Sequence, residues 1–213
     1  MSARAEELAR AVQALGRRCD LFQADLAESA AAGALVEATR AAYGRLDLLV
    51  NSAASFDTHA LVDVDASAWD AVMDLNVRAP HLLVRAAAPL LAAARGSVVN
   101  VLDLSAFQAW SEHPAHSVSK AALAHLTRVQ ARALAPDVRV NAVAPGAVLP
   151  PAGYPSARLE AIRARTPLAT LGSPEDVVQA VVFLAGARFV TGQILAVDGG
   201  RLLGPTGPPP AEG

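Results

Sequence analysis

Four short apolar runs, Leu46–Val50, Ser97–Val101, Val138–Val143 and Ile194–Val197, alternate with longer stretches of helical periodicity, and that alternation leaves few folds open. Runs so rich in Val and Leu suit strands covered on both faces. The stretches between them, Ala30–Tyr43, Ala68–Ala94, His116–Leu134 and Pro174–Gly186, are predicted helices. Asn76 and Pro80 predict an irregular middle for the second of these. Ser173 before Pro174, Glu175 and Asp176 is a strong helix start, with a capping hydroxyl, a pre-set φ and acids in the first turn. Leu21–Ala24 is read as one further short strand. Strands and helices in strict alternation predict an α/β fold with a doubly wound parallel sheet of the Rossmann type.

A chain of 213 residues supports one well-packed domain, placed at residues 1–203, and the Gly/Pro-rich residues 204–213 are expected to be a disordered tail. With 53% hydrophobic and only 4% aromatic residues, the composition favours helices on a buried sheet. The net charge is −2 and the basic residues are scattered, so no nucleic-acid or anionic-membrane surface is expected. No apolar run reaches membrane-spanning length, and Glu6 and Glu7 are out of place in a secretory signal, so the expected compartment is the cytoplasm. Cys19 is alone in the chain, is without an intrachain disulfide partner, and is expected to be a small buried hydrophobe.

In doubly wound sheets, ligands bind in the loops beyond the carboxyl ends of the strands. Here those loops carry Asp25, Asn51–Phe56, Asp103, Pro145–Gly146 and Asp198–Gly200. His116 and Lys120 stand one helical turn apart and share a face, with Asp103 on the loop before them. A carboxyl, an imidazole and an ammonium so grouped can form a proton relay to a carbonyl or imine, or simply an ion pair at a solvated helix start. Asn76, inside an apolar helix, is either a kink residue or a functional one. Phe56 is either a loop anchor or a stacking platform for a flat ligand. Trp69 and Trp110 are read as packing residues. His113 and His116 have metal-like spacing, but the intervening Pro114 and the lack of a Cys or Glu cluster speak against a metal site.

These segments resemble the short-chain dehydrogenase/reductase family over about Glu6 to Leu203. Leu49–Ala54 is similar to its Asn-Asn-Ala-Gly segment and Leu75–Val77 to its catalytic-asparagine helix, while His116–Lys120 is similar to its Tyr-x-x-x-Lys motif. Arg139–Gly146 and Thr191–Gly200 resemble further family segments. Within the family, Asp103, Ser55–Phe56, His113–Pro114 and Pro145–Pro150 resemble the pteridine reductases. The resemblance implies NADP, or NAD, as cofactor and a pterin or dihydrofolate-like substrate. It implies catalytic roles for Asn76, Asp103, His116 and Lys120, with the asparagine holding a water. It assigns Asp25, Leu26, Asn51, Ser52, Ala53, Lys120, Pro145 and Gly146 to the cofactor, and Phe56, Asp103 and His116 to the substrate. A homo-oligomer, dimer or tetramer, is also implied.

Two departures shape the expectations. The glycine-rich turn that cradles a pyrophosphate in this family does not occur in the sequence, nor do the family's first two strands and first helix. Residues 1–18 resemble the helix that follows the second strand. Leu21–Ala24 is therefore expected to pair directly with Leu46–Val50, to stay poorly ordered, or to leave an edge for a partner. Cofactor binding is expected to be weak or absent. Second, His116 stands where the family has tyrosine, and Ser52 and Ala54 stand where it has other residues that donate hydrogen bonds. The alternative to the reductase is a non-catalytic relative, or a fragment, serving as a binding or assembly module. A dehydrogenase for another carbonyl compound is a third reading, favoured if Phe56 does not line the pocket.

Overall fold

A computed structural model describes residues 3–56, 58–150 and 153–204. The helices are α1 (Ala3–Ala14), α2 (Ala31–Tyr43), α3 (Ala66–Met73), α4 (Ala79–Ala94), α5 (Pro114–Leu134), α6 (Ser156–Ala164) and α7 (Pro174–Gly186). The strands are β1 (Leu48–Asn51), β2 (Ser97–Val101), β3 (Arg139–Pro145) and β4 (Ile194–Val197). All strand pairs are parallel, in the order β1-β2-β3-β4. The α/β parallel-sheet fold read from the sequence is the fold observed.

Alternate strand residues serve opposite layers. Val98 and Val140 pack with Val84, Ala87 and Leu91 of α4 and Ala131 of α5. Val99 and Val143 face the other way, onto Ala180 and Leu184 of α7. All four of these strand valines are fully buried. The α7 cap forms as expected: Ser173 accepts from the Asp176 N–H while the Asp176 carboxylate accepts from the Ser173 N–H.

The irregular middle of the second helical stretch is a single π turn, Asp74–Arg78, between α3 and α4. Pro80 has no N–H to give the Asn76 carbonyl, and the Ala79 N–H reaches back to Asp74 instead. The extra residue turns Asn76 inward, where it is 1% exposed.

The strand expected at Leu21–Ala24 is not one. These residues join no ladder among the described residues, and the segment just before them is tied to the end of α2 rather than to β1. The Asp20 N–H donates to the Tyr43 hydroxyl at 3.0 Å, and Arg18 donates to the Ala42 carbonyl at 2.7 Å. The sheet therefore ends at β1, whose outer edge makes no ladder among the described residues. Val50, on the α7 side of β1, is 40% exposed because no helix covers it. Cys19, expected to be buried, is only partly so. Of the expected tail, Gly204 alone is described; the remaining tail residues lie outside the described residues. Among the described residues, no helix is long and apolar enough to cross a membrane.

Candidate functional site

The carboxyl ends of β1, β2 and β3 bring most of the predicted residues to one end of the sheet. β2 ends at Val101, two residues before Asp103, and α5 begins at Pro114, so His116 and Lys120 lie in its first two turns. The His116 ring is 3% exposed. Its Nε2 lies 2.6 Å from Asp103 Oδ2 and its Nδ1 lies 3.0 Å from the Ser55 carbonyl oxygen. Both neighbours are acceptors, so only a ring carrying both N–H hydrogens donates to both. The other Asp103 oxygen accepts from the Ser105 N–H at 2.8 Å and from the Ser105 hydroxyl.

Burial by itself would raise the Asp103 pKa. The hydrogen bonds from His116 and Ser105 outweigh it and hold the carboxyl below its ordinary 3.8. Lys120 donates from Nζ to the Val101 carbonyl at 3.0 Å and is 4% exposed. Burial lowers its pKa, and the charge of Asp103 only partly opposes that.

Asn76 reaches this group through the loop after β1. Its Oδ1 accepts from the Ser55 N–H at 2.8 Å, and its Nδ2 donates to the Ser55 carbonyl at 3.0 Å and to Ser119 Oγ at 2.9 Å. Ser119 in turn donates to the His116 carbonyl at 2.7 Å. Asn76 thus clamps both polar groups of the Ser55 backbone, and the same Ser55 carbonyl braces His116. Both of its amide hydrogens are spent on protein, which leaves only an acceptor position on Oδ1 for the water expected of it.

Phe56, next on that loop, is 53% exposed. Its ring centroid lies 4.3 Å from that of His113 and 4.4 Å from that of His116. It is not an anchor into the core; it leans, tilted, against the two imidazoles and is otherwise largely exposed. Phe56, Asp103, Trp110 and His113 line a cavity of about 560 Å³ that continues to Pro145, Gly146 and Tyr154. Trp110 is therefore a wall of this cavity and not simply a packing residue. His116 lies behind the wall, and Asp103, whose side chain is 23% exposed, is the member of the pair that faces the space.

The residues assigned to a dinucleotide are divided. Asn51 is buried, its Nδ2 donates to Asn100 Oδ1 at 2.8 Å, and its own Oδ1 has no partner. That orphaned oxygen at the end of β1, with Pro145 and Gly146 at the end of β3 and Lys120 bonded to the end of β2, forms a set of residues that would suit the nicotinamide half of such a cofactor. Gly146 also has a packing reason, because a Cβ there would come within 3.0 Å of the Asp198 backbone. Ser52 and Ala53 are exposed on the loop beyond Asn51. Asp25 is exposed and accepts from the Ala27 N–H, with Leu26 between them half-buried, and Arg78 ties this loop down through the Ala27 carbonyl. Among the described residues, no turn of backbone N–H groups stands where a pyrophosphate would need it, so the residues do not fit that half.

Sequence reasoning missed Ser105, Ser119, Asn100 and Thr127. Asn100 passes the hydrogen bond from Asn51 on to Thr127, which donates to the Leu123 carbonyl. Two residues after Asp103, Ser105 has the spacing of a side-chain-capped turn, which was the available signal. Asn100 within an apolar strand was another.

A family model described as enoyl-(acyl carrier protein) reductase matches residues 1–201. The chain is 36% identical over 203 residues to cis-4-hydroxycyclohexanecarboxylate dehydrogenase of Sinomonas cyclohexanicum, a match covering 92% of this chain and 82% of that protein. It is 33% identical over 216 residues to a short-chain dehydrogenase/reductase of a Cladobotryum species, covering 93% of this chain and 82% of the relative. Among solved structures, a blue fluorescent protein from a metagenomic library, in complex with NADPH, is 33% identical with a TM-score of 0.85. That similarity covers 94% of this chain and 85% of the other.

Proposed function

The chain belongs to the short-chain dehydrogenase/reductase family of oxidoreductases, and on that premise we propose that it reduces a flat pterin or dihydrofolate-like ring with a nicotinamide cofactor, NADP in preference to NAD. The observation that carries this reading is the exposed ring of Phe56 in one cavity with the Asp103 carboxylate and Trp110. An aromatic platform next to an ionised carboxylate suits a heteroaromatic ring that has N–H and amino donors along one edge. The NADPH complex of the related blue fluorescent protein supports the choice of cofactor.

Asn51, Lys120, Pro145 and Gly146 would hold the nicotinamide end, and the cofactor when bound supplies a hydride to a C=N carbon. Asp103 accepts hydrogen bonds from the ring's donors and fixes its orientation. The proton that completes the reduction is held on His116 Nε2 and reaches the substrate nitrogen through the Asp103 carboxylate. Lys120, held by the Val101 carbonyl, stands where it interacts with the charge of that carboxylate, and Asn76 fixes Ser55 so that the imidazole does not turn. The homo-oligomer implied by the resemblance is part of the same proposal.

Binding can be tested without turnover. In a Trp69→Phe background, the fluorescence of Trp110 should be quenched on titration with dihydrobiopterin. Stacking of a heteroaromatic base on an aromatic side chain is worth roughly 1–3 kcal/mol, so Phe56→Ala should weaken binding about 5- to 150-fold. Saturable quenching unchanged by Phe56→Ala, or no quenching, would remove the pterin from the reading. Saturable Phe56-dependent quenching without any turnover would favour the binding-module alternative.

A further inference from the structure

The cavity has a charged side that the reduction does not use. Arg165, just after α6, and Arg201, in the turn after β4, come from separate parts of the chain and both line it with Phe56 and Asp103. Among the described residues, neither guanidinium has an acidic group within ion-pair distance. Arg163, two residues earlier, is by contrast taken up by Glu160 at 2.7 Å. Of the carboxylates lining the cavity, Asp103 is engaged by His116, which leaves Glu112, exposed at the rim. Two unpaired guanidiniums therefore share a concave space with one unpaired carboxylate.

A guanidinium presents a planar fork of donors that matches a carboxylate, and such a charge-assisted contact is stronger than a hydrogen bond between neutral groups. Resting on the proposed substrate site, we propose that Arg165 and Arg201 select a substrate with a carboxylate on the end of its ring system opposite the donors that Asp103 holds. The ring lies between Phe56 and Asp103, and the carboxylate lies toward the two arginines. The pair determines specificity and takes no part in the transfer of hydride or proton.

Titration of the wild-type chain with pterin-6-carboxylate and with neutral 6-hydroxymethylpterin tests this, with benzoate and benzamide as a pair that lacks the pterin ring. Each carboxylate should bind on the order of ten- to a hundredfold more tightly than its neutral partner, as expected of hydrogen bonds between charged groups. The preference should shrink in Arg165→Gln and in Arg201→Gln and vanish in the double variant, while affinity for the neutral probes stays the same. Glu112→Gln should enlarge it. Equal binding of charged and neutral probes, a preference that survives the double variant, or no carboxylate binding would each overturn the inference. Inorganic phosphate competing as well as benzoate would assign the pair to the cofactor's phosphates and overturn it too. Arginine-dependent benzoate binding without pterin binding would uphold the carboxylate site and reject the pterin. Pterin binding without a carboxylate preference would do the reverse.

Discussion

Asp103→Ala is expected to abolish turnover and to destabilise the fold in one step. General acid–base groups contribute typically about a hundred- to ten-thousand-fold to rate, and Asp103 is the member of the proposed relay that faces the cavity. The same substitution leaves the imidazole of His116, 3% exposed, with no partner on Nε2. Leaving a buried polar group without its hydrogen-bond partner costs about 1–3 kcal/mol, which is the expected loss of stability. Asp103→Asn separates the two effects, since it keeps an acceptor for Ser105 while removing the charge.

The sign of the pH dependence follows from the depressed pKa of this carboxyl. Its contribution to stability is fully present above the ordinary value of 3.8 and is lost as the pH falls through the lower, folded-state value. Urea midpoints measured downward from neutral pH should fall in that acidic window for the wild type and flatten there in Asp103→Asn. Asp103→Ala retaining wild-type turnover and an unchanged urea midpoint would mean that the pair neither reacts nor stabilises.

Binding of NADPH and NADH by the 213-residue chain is expected to be weak, with dissociation constants on the order of millimolar. The pyrophosphate is the most highly charged part of the ligand, and family members hold it on backbone N–H groups of a glycine-rich turn. The residues proposed to hold the cofactor, Asn51, Lys120, Pro145 and Gly146, are all assigned to its nicotinamide end. Arg78, which bonds the Ala27 carbonyl in the loop at Asp25–Ala27, already pairs with Asp74 at 2.7 Å. Isothermal titration checks this, and a low-micromolar constant for either nucleotide would show that another group holds the phosphates.

Much of the fold could be read from local pattern because local pattern decides it. The valines of Ser97–Val101 and the Ser173–Asp176 cap act within a few residues of themselves, and both appear where expected. The π turn was foreshadowed by Asn76 and Pro80 for the same reason. Leu21–Ala24 went wrong because a strand needs a neighbour, and its apolar pattern carries no information about whether one is there. Helix α6 went unnoticed because it buries no residue and so has little apolar periodicity. At the site, the approach of Asp103 to His116 could be anticipated from the strand–loop–helix order. The engagement of both His116 nitrogens could not, since the second acceptor is the backbone carbonyl of Ser55. Nor could the presence of Arg165 and Arg201 in one cavity, since they come from separate segments of the chain.

The most direct test of the central claim, that this cavity is the substrate site of a pterin-directed reductase, is NADPH oxidation followed by nicotinamide absorbance. It is run at millimolar NADPH to overcome weak cofactor binding, with and without dihydrobiopterin, for the wild type, Phe56→Ala and Asp103→Ala. The expected result is oxidation that depends on the pterin, slowed about tenfold or more by loss of the Phe56 platform and abolished by loss of Asp103. No pterin-dependent oxidation in the wild type, or a rate that neither substitution changes, would contradict it.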